Sequence, residues 1–241
     1  MRKLVVGDVH GGLKALKQTL ERAKVTPNDL IIFLGDYVDG WSESSKVIDF
    51  LIHFQSTHNC ICLLGNHDEL LLEWLETGEE NLVWLQHGGQ VTVNEYQLLS
   101  PDKIQQHIKF IKSLPTFHLD DKNRLFLHAG FTSYKGIEFE YYKKLFYWDR
   151  TLWETALALD SNLSKDDLFY PKRFNLYNEI YIGHTPVTQI NETIPVNKAC
   201  IWNIDTGAAF KGKLTIMDVD TKEFWQSDVL PELYPNEKGR N

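Results

Sequence analysis

The chain has 241 residues, 43% hydrophobic and 24% charged, enough to bury a sizeable core as one domain over 1–241. Its formal charge of −8 excludes the basic stripe that sequence-independent nucleic-acid binding needs, while leaving room for an anionic substrate held by bound cations. No apolar run reaches the ~18 residues of a spanning helix, and the opening MRKLVVGDVHGG is too briefly apolar for a secretory leader, so a soluble, cytoplasmic protein without membrane or nucleic-acid partners is expected.

Short apolar runs alternate with helical spacing from the start. KLVV reads as a strand, LKALKQTLERAK as a helix with Leu13, Leu16 and Leu20 on one face, and LIIFL as the next strand. SSKVIDFLIHF repeats the helical pattern through Val47, Phe50, Leu51 and Phe54, and CICLL follows as a third strand. The order strand, helix, strand, helix, strand predicts an α/β sheet with functional groups at the strands' carboxyl ends. RLFL and IYI predict further strands, and residues 132–178 between them, rich in Tyr, Phe and Trp, suggest a partly helical cap. Beyond residue 185 the β-branched and aromatic pattern with turn residues predicts antiparallel strands. Cys60, Cys62 and Cys200 are odd in number and lack a CxxC spacing, and read as reduced, buried residues.

Three of the early strands end in glycine followed by residues that bind metals. VVGDVHGG offers Asp8 and His10, FLGDYVDG offers Asp36 and Asp39, and LLGNHDE offers Asn66, His67 and Asp68. LFLHAG ends in His128 and IYIGHT in His184. Mixed carboxylate, amide and imidazole donors without thiolates suit divalent ions such as Mn²⁺, Fe²⁺, Zn²⁺ or Co²⁺ in a catalytic two-metal centre. His87 in QHGGQ has helical spacing before it and no strand, with Gly88 reading as a helix C-cap, so His128 is the preferred ligand. Asp68 reads as a loop hydrogen-bonder and Asp205 in NIDTGAAF as a turn residue.

The ordered motifs GD-x-HG, GD-x-x-D, GNH, His-x-Gly and GH, spanning residues 7–184 or about three quarters of the chain, resemble those of calcineurin-like metallophosphoesterases. GDVHG with GDYVDG is most similar to the phosphoprotein phosphatase branch, including its small bacterial members. The resemblance implies a layered α/β fold, two mixed β-sheets packed face to face with helices outside. It implies a first metal on Asp8, His10 and Asp36, with Asp36 bridging to a second metal on Asn66, His128 and His184. Asp39 would orient His67, the general acid, while a hydroxide clamped between cations ~3.5 to 4 Å apart attacks the phosphorus in line.

One departure bears on substrate. Phosphoprotein phosphatases carry Arg-Gly where this chain has Gly40-Trp41, so Trp41 offers at most an aromatic wall and the phosphate clamp must come from elsewhere. Arg150 in FYWDR is the leading replacement, with Asn66 beside it as a substrate-binding group, and Arg173 in YPKRF is a weaker one. The favoured reading is a Mn-dependent phosphomonoesterase acting on phosphorylated Ser/Thr proteins, with small phosphate esters as model substrates. The alternative is a hydrolase of dinucleoside polyphosphates or other nucleotides. A non-catalytic binding protein is disfavoured, because clustering this many polar ligands at one sheet edge costs stability unless they hold something.

Overall fold

The computed structural model describes residues 1–240. The amino-terminal part runs β1 (Lys3–Val6), α1 (Leu13–Arg22), β2 (Leu30–Phe33), α2 (Ser44–Gln55), β3 (Asn59–Cys62) and α3 (Asn66–Thr77). Three more helices follow: α4 (Leu82–Trp84), α5 (Gln90–Tyr96) and α6 (Pro101–Lys112). Next come β4 (Phe117–Leu119), β5 (Arg124–Leu127), α7 (Leu145–Trp148), α8 (Thr151–Ala158) and β6 (Glu179–Ile182). The last elements are β7 (Val196–Lys198), β8 (Ile201–Asn203), β9 (Thr215–Asp218), β10 (Phe224–Gln226) and α9 (Leu230–Leu233).

These strands make two mixed five-stranded sheets, ordered β10-β9-β1-β2-β3 and β4-β5-β6-β8-β7. In the first, the parallel strands β1, β2 and β3 end at the β3 edge and the antiparallel pairs β1/β9 and β9/β10 lie on the other side; in the second, parallel β5, β6 and β8 are flanked by antiparallel β4 and β7. Strand alternation explains the stacking, since side chains of period two feed both faces of a sheet. Leu4, Val6, Ile31 and Phe33 face the helices α1, α2 and α6, whereas Val5 and Ile32 face inward. In the second sheet Phe126 and Tyr181 face inward and meet Val5, Ile32 and Met217, their rings stacked at 4.7 Å. Leu125, Leu127, Ile180 and Ile182 face the opposite side. The result is helix, sheet, sheet, helix, with a dry seam between the sheets.

The strands after residue 185 are not all antiparallel. β8 pairs in parallel with β6, Tyr181 opposite Trp202, because the chain returns along the edge strand β7 and a tight hairpin then brings β8, antiparallel to β7, in between β7 and β6. Residues 132–178 form the crossover from β5 to β6. Their aromatic residues Phe146, Trp153 and Phe174 are buried against the outer face of the second sheet, and only Trp148 and Arg150 reach the cavity described below. QHGGQ also differs from expectation: Gly88 (φ 105°) kinks a wide helical turn at Leu85–Gly89 and the helix resumes as α5, so it is not a terminating cap. Among the described residues, no helix is long and apolar enough to cross a membrane.

Candidate metal centre

The sheets bring the carboxyl ends of β1, β2, β3, β5, β6 and β8 to one edge of the seam. Asp8, Asp36, Asn66, His128, His184 and Asp205 follow those strands and are all buried. Sharp turns aim the donors inward: His10, Asp36, Asp39 and His184 all take left-handed φ angles of 49°, 53°, 73° and 68°. Each such non-glycine residue stores about 1–3 kcal/mol of strain, sustained only because the surrounding hydrogen bonds over-determine the loop. Asp68 supplies many of those bonds, its carboxylate accepting from the backbone N–H groups of Asp36, Tyr37 and Gly65 at 2.8 to 2.9 Å. A side chain at Gly183 would collide with Asp8 Oδ1, so glycine is what lets the His184 turn close over the first strand.

Two donor groups share one carboxylate. Atoms of Asp8, His10 and Asp36 lie within 4.8 Å of one another, as do atoms of Asp36, His128 and His184. The His10 Nδ1–H donates to Val38 O at 3.0 Å and the His128 Nδ1–H to Leu34 O at 3.1 Å, so both rings turn Nε2 toward Asp36, at 3.5 and 3.4 Å. Backbone acceptors of this kind fix the tautomer that leaves the inner nitrogen free to coordinate. Asn66 Oδ1 sits 3.1 Å from His128 Nε2 and 2.8 Å from His184 Nδ1. Asp36 Oδ1 is occupied by the His67 backbone N–H at 2.9 Å, and the Asp8 carboxylate accepts from the His184 N–H at 3.0 Å.

The electrostatics of the cluster favour the binding of positive charge. Burial, reinforced by the neighbouring Asp205 carboxylate, pushes Asp8 well above the usual carboxylate range. Burial would push Asp36 up as well, but the His128 and His67 imidazoles hold it well below that range. Burial disfavours charge on His128, yet Asp36 and Asp8 together lift it to about 9. Burial lowers His10 and His184. A buried set of hard and borderline donors, short of cationic charge and with imidazoles pre-oriented by carbonyls, fits two divalent cations sharing Asp36.

His67 stands beside this cluster. Its Nδ1 is 2.5 Å from Asp39 Oδ2, which also accepts from Trp84 Nε1–H at 2.6 Å, while Asp39 Oδ1 accepts from Thr92 Oγ1–H at 2.7 Å. Trp84 and Thr92 carried no motif, and only the buried state of Asp39 demands such donors. Asp205 makes the expected turn, accepting from the Gly207 N–H at 2.9 Å, but burial also raises it to about 6 and its charge acts on Asp8.

Over the cluster opens a cavity of about 280 Å³. Asp36, Asn66, His67 and His184 contribute to its lining, with Trp148, Arg150, Phe210 and Arg240 around them. Arg150 is exposed and donates from Nη1 to Thr185 Oγ1 at 3.0 Å. Arg173 is elsewhere, buried in the crossover and bonded to Phe131 O, Thr151 O and Thr155 Oγ1, so it is a packing residue. Trp41 is no wall of the cavity: it is fully buried, donates to Ala208 O at 2.7 Å and stacks on Tyr234. Sequence reasoning also missed Arg240, for which the empty side chain at Gly40 was the sole signal.

The sequence profile of the calcineurin-like phosphoesterases matches residues 1–209. A bis(5'-nucleosyl)-tetraphosphatase PrpE [asymmetrical] of Oceanobacillus iheyensis is 28% identical over 238 residues, covering 91% of this chain and 89% of the relative. The protein of the same name from Bacillus cereus is 29% identical over 238 residues, covering 89% of each. Among solved structures, a candidate diadenosine tetraphosphatase superposes with a TM-score of 0.63 at 18% identity, covering 93% of this chain and 92% of the other. A Saccharomyces cerevisiae protein serine/threonine phosphatase gives 0.59 at 13% identity, covering 95% and 80%. Likeness at that level establishes the fold, and the profile match over most of the chain establishes more: the protein belongs to the calcineurin-like phosphoesterases, and is a metallophosphoesterase.

Proposed function

We propose that the chain is a metal-dependent hydrolase of dinucleoside polyphosphates, the alternative rather than the favoured reading of the sequence. The observation that carries this is the match, over about nine-tenths of both chains, to relatives named for that activity. The fold cannot choose between substrates, because protein phosphatases share it. The cavity favours a polyanion with aromatic ends: Arg150 and Arg240 line it together with Trp148 and Phe210.

Asp8, His10, Asp36, Asn66, His128 and His184 would hold two divalent cations, Mn²⁺ among those that such a mixed oxygen and imidazole set suits. When bound, the pair supplies Lewis acidity at the phosphoryl group and lowers the pKa of the attacking water. Water adds to one phosphorus of the anhydride chain, the bond from that phosphorus to the leaving oxygen breaks, and a proton from His67 goes to that oxygen. Its Nδ1 being held by Asp39, His67 has Nε2 left for the transfer. Asn66 and Arg150 orient the phosphoryl oxygens. Uneven cleavage of a tetraphosphate, as in the name of the relatives, yields a nucleoside mono- and triphosphate.

The test is a panel with Mn²⁺ containing diadenosine tetraphosphate, a phosphoserine peptide and 4-nitrophenyl phosphate. The proposal requires kcat/KM for the dinucleotide to exceed that for the peptide by at least about 10²-fold, with AMP and ATP as products. Preference for the peptide restores the protein-phosphatase reading, and no turnover with two metals bound supports a non-catalytic role.

A further inference from the structure

Among the described residues, two buried side-chain polar atoms lack a hydrogen-bond partner, His184 Nε2 and Arg240 Nε. Both residues line the same cavity. Unpaired buried polar atoms are uncommon enough in folded proteins that two around one cavity point to something that binds there.

Arg240 reaches the cavity from the segment that follows α9, which is fastened across the β2–α2 loop. Tyr234 is buried, stacks on Trp41 at 5.3 Å, donates its hydroxyl to Glu43 Oε2 at 2.5 Å and accepts from the Lys14 N–H at 2.9 Å. Glu237 accepts from Ser42 N–H at 2.9 Å and from Ser42 Oγ–H at 2.6 Å. The Arg240 N–H then donates to Ala209 O at 2.9 Å, and the guanidinium lies over the Phe210 ring, 5.3 Å from its centroid.

The path exists because two glycines lack side chains. A Cβ at Gly40 would stand 3.2 Å from Arg240 Cγ, and one at Gly88 would stand 2.9 Å from it. Both glycines have left-handed φ, 97° and 105°. The Arg240 stem therefore crosses the space that a side chain at position 40 would use. The same Cβ at Gly40 would stand 3.5 Å from His10 O, which puts the Arg240 stem on the His10 side of the centre. Arg150 lies toward the His184 turn, its guanidinium bonded to Thr185 next to that residue.

We infer that Arg240 is a phosphate-binding residue supplied from the 234–240 segment through the gap at Gly40 and Gly88, so that a phosphate chain spans the centre between Arg240 and Arg150. The polyphosphate part of this inference rests on the dinucleotide reading above; the binding role of Arg240 does not. One arginine can already offer a bidentate pair of N–H donors to a single phosphoryl group. A second, on the far side, is useful to a substrate whose charge continues past the reacting phosphorus, and bidentate N–H donors match successive phosphate oxygens.

The experiment measures binding by calorimetry to the Mn²⁺-loaded protein, with methylenediphosphonate as a non-hydrolysable diphosphate and orthophosphate as the single-phosphate control. Arg240→Met keeps an unbranched stem beside the two glycines and on Phe210 but removes the donors, so it should fold with a Tm close to the parent. Its Kd for methylenediphosphonate should rise about 10- to 100-fold, the scale of a lost charge-assisted hydrogen bond, with a smaller rise for orthophosphate. Arg240→Lys should recover part of the loss. Glu237→Ala, far from the ligand, should weaken diphosphonate binding severalfold by loosening the segment. Should Arg240→Met and Arg240→Lys both bind diphosphonate within twofold of the parent, Arg240 is a packing residue and the inference is overturned. Parent protein that binds the two ligands equally would overturn the spanning geometry. If binding depends on Arg240 yet only phosphopeptides are hydrolysed, the arginine assignment stands and the dinucleotide reading falls.

Discussion

Asp39→Asn isolates the charge behind His67 from the shape of the site. The Asp39 carboxylate receives donors from His67, Trp84 and Thr92 at 2.5, 2.6 and 2.7 Å. An asparagine can keep its carbonyl oxygen toward His67 and Trp84, provided its NH₂ faces Thr92 Oγ1. That hydroxyl lies 2.9 Å from Ser44 Oγ and can turn its hydrogen there, so the network survives at a cost of about 1 kcal/mol, or about 2–4 °C in Tm for a chain of this size. What is lost is the negative charge that supports protonated His67. A charge-assisted hydrogen bond contributes about 1.5–3 kcal/mol, so the proton-transfer step should slow by about 10- to 150-fold. The loss must depend on the leaving group, because an acid helps most where the departing oxygen is most basic. The assay is kcat/KM across a series of aryl and alkyl phosphates and diadenosine tetraphosphate, with metal content measured in parallel. Phenyl phosphate should suffer the full loss, and 4-nitrophenyl phosphate and the dinucleotide, whose leaving groups are far weaker bases, should lose less than about tenfold. Equal losses across the series with normal metal content would refute the assignment of His67 as acid.

Asp36→Asn should abolish turnover and lower bound Mn²⁺ at both positions, read by elemental analysis, because both donor groups include this carboxylate; two metals per chain with normal turnover would remove it from that role. Arg150→Ala should keep both metals and raise the inhibition constant of orthophosphate, lowering kcat/KM roughly 10²- to 10³-fold, with Lys at 150 restoring only part. Asp120 ties the β4–β5 turn to the first sheet through Lys3 Nζ at 2.5 Å and to Arg124 Nε at 2.8 Å. Burial would raise its carboxyl, but those partners hold it at about 2, below the value of about 4 expected when unfolded. Its stabilisation is therefore complete above about pH 4 and lost as pH falls toward about 2. Asp120→Asn should cost about 1–2 kcal/mol at pH 7 in urea unfolding, and the difference from the parent should shrink through that acid window.

The clustered donor residues were legible because each sits where a local rule makes it visible. An apolar strand, a glycine and a polar donor recur at Asp8, Asp36, Asn66 and His184, and a strand sets His128 apart from His87. The parallel order of the early strands was legible for the same reason, since intervening amphipathic helices force it. The parallel pairing of β8 was not, because β7 and β8 do form the antiparallel hairpin their sequence suggests, and nothing local says that its second arm docks against β6. Trp84 and Thr92 were invisible because a buried carboxylate demands donors without saying where in the chain they come from. The vacancy at Gly40 was legible as a loss, and its occupant was not. Arg240 is 200 positions away by number, and only the packing of Tyr234 and Glu237 across the β2–α2 loop joins the two.

This difference in legibility has a physical origin. Coordinating two cations tolerates little displacement, so the ligands belong on turns locked to strand ends, where Asp68, Val38 O and Leu34 O fix their geometry. Gripping a substrate's outer phosphates needs reach more than rigidity. A long guanidinium stem can supply that from any segment that passes the rim, and Arg150 from the crossover and Arg240 from the segment after α9 both line the cavity. Replacing the rim arginines can therefore retarget the enzyme while the centre stays intact. Substitutions at Asp68 or Gly183 would instead disturb the turns that hold the centre together. If so, the two classes separate in one measurement: rim variants lose phosphate affinity with metal content unchanged, whereas Asp68→Ala loses metal first and affinity only as a consequence.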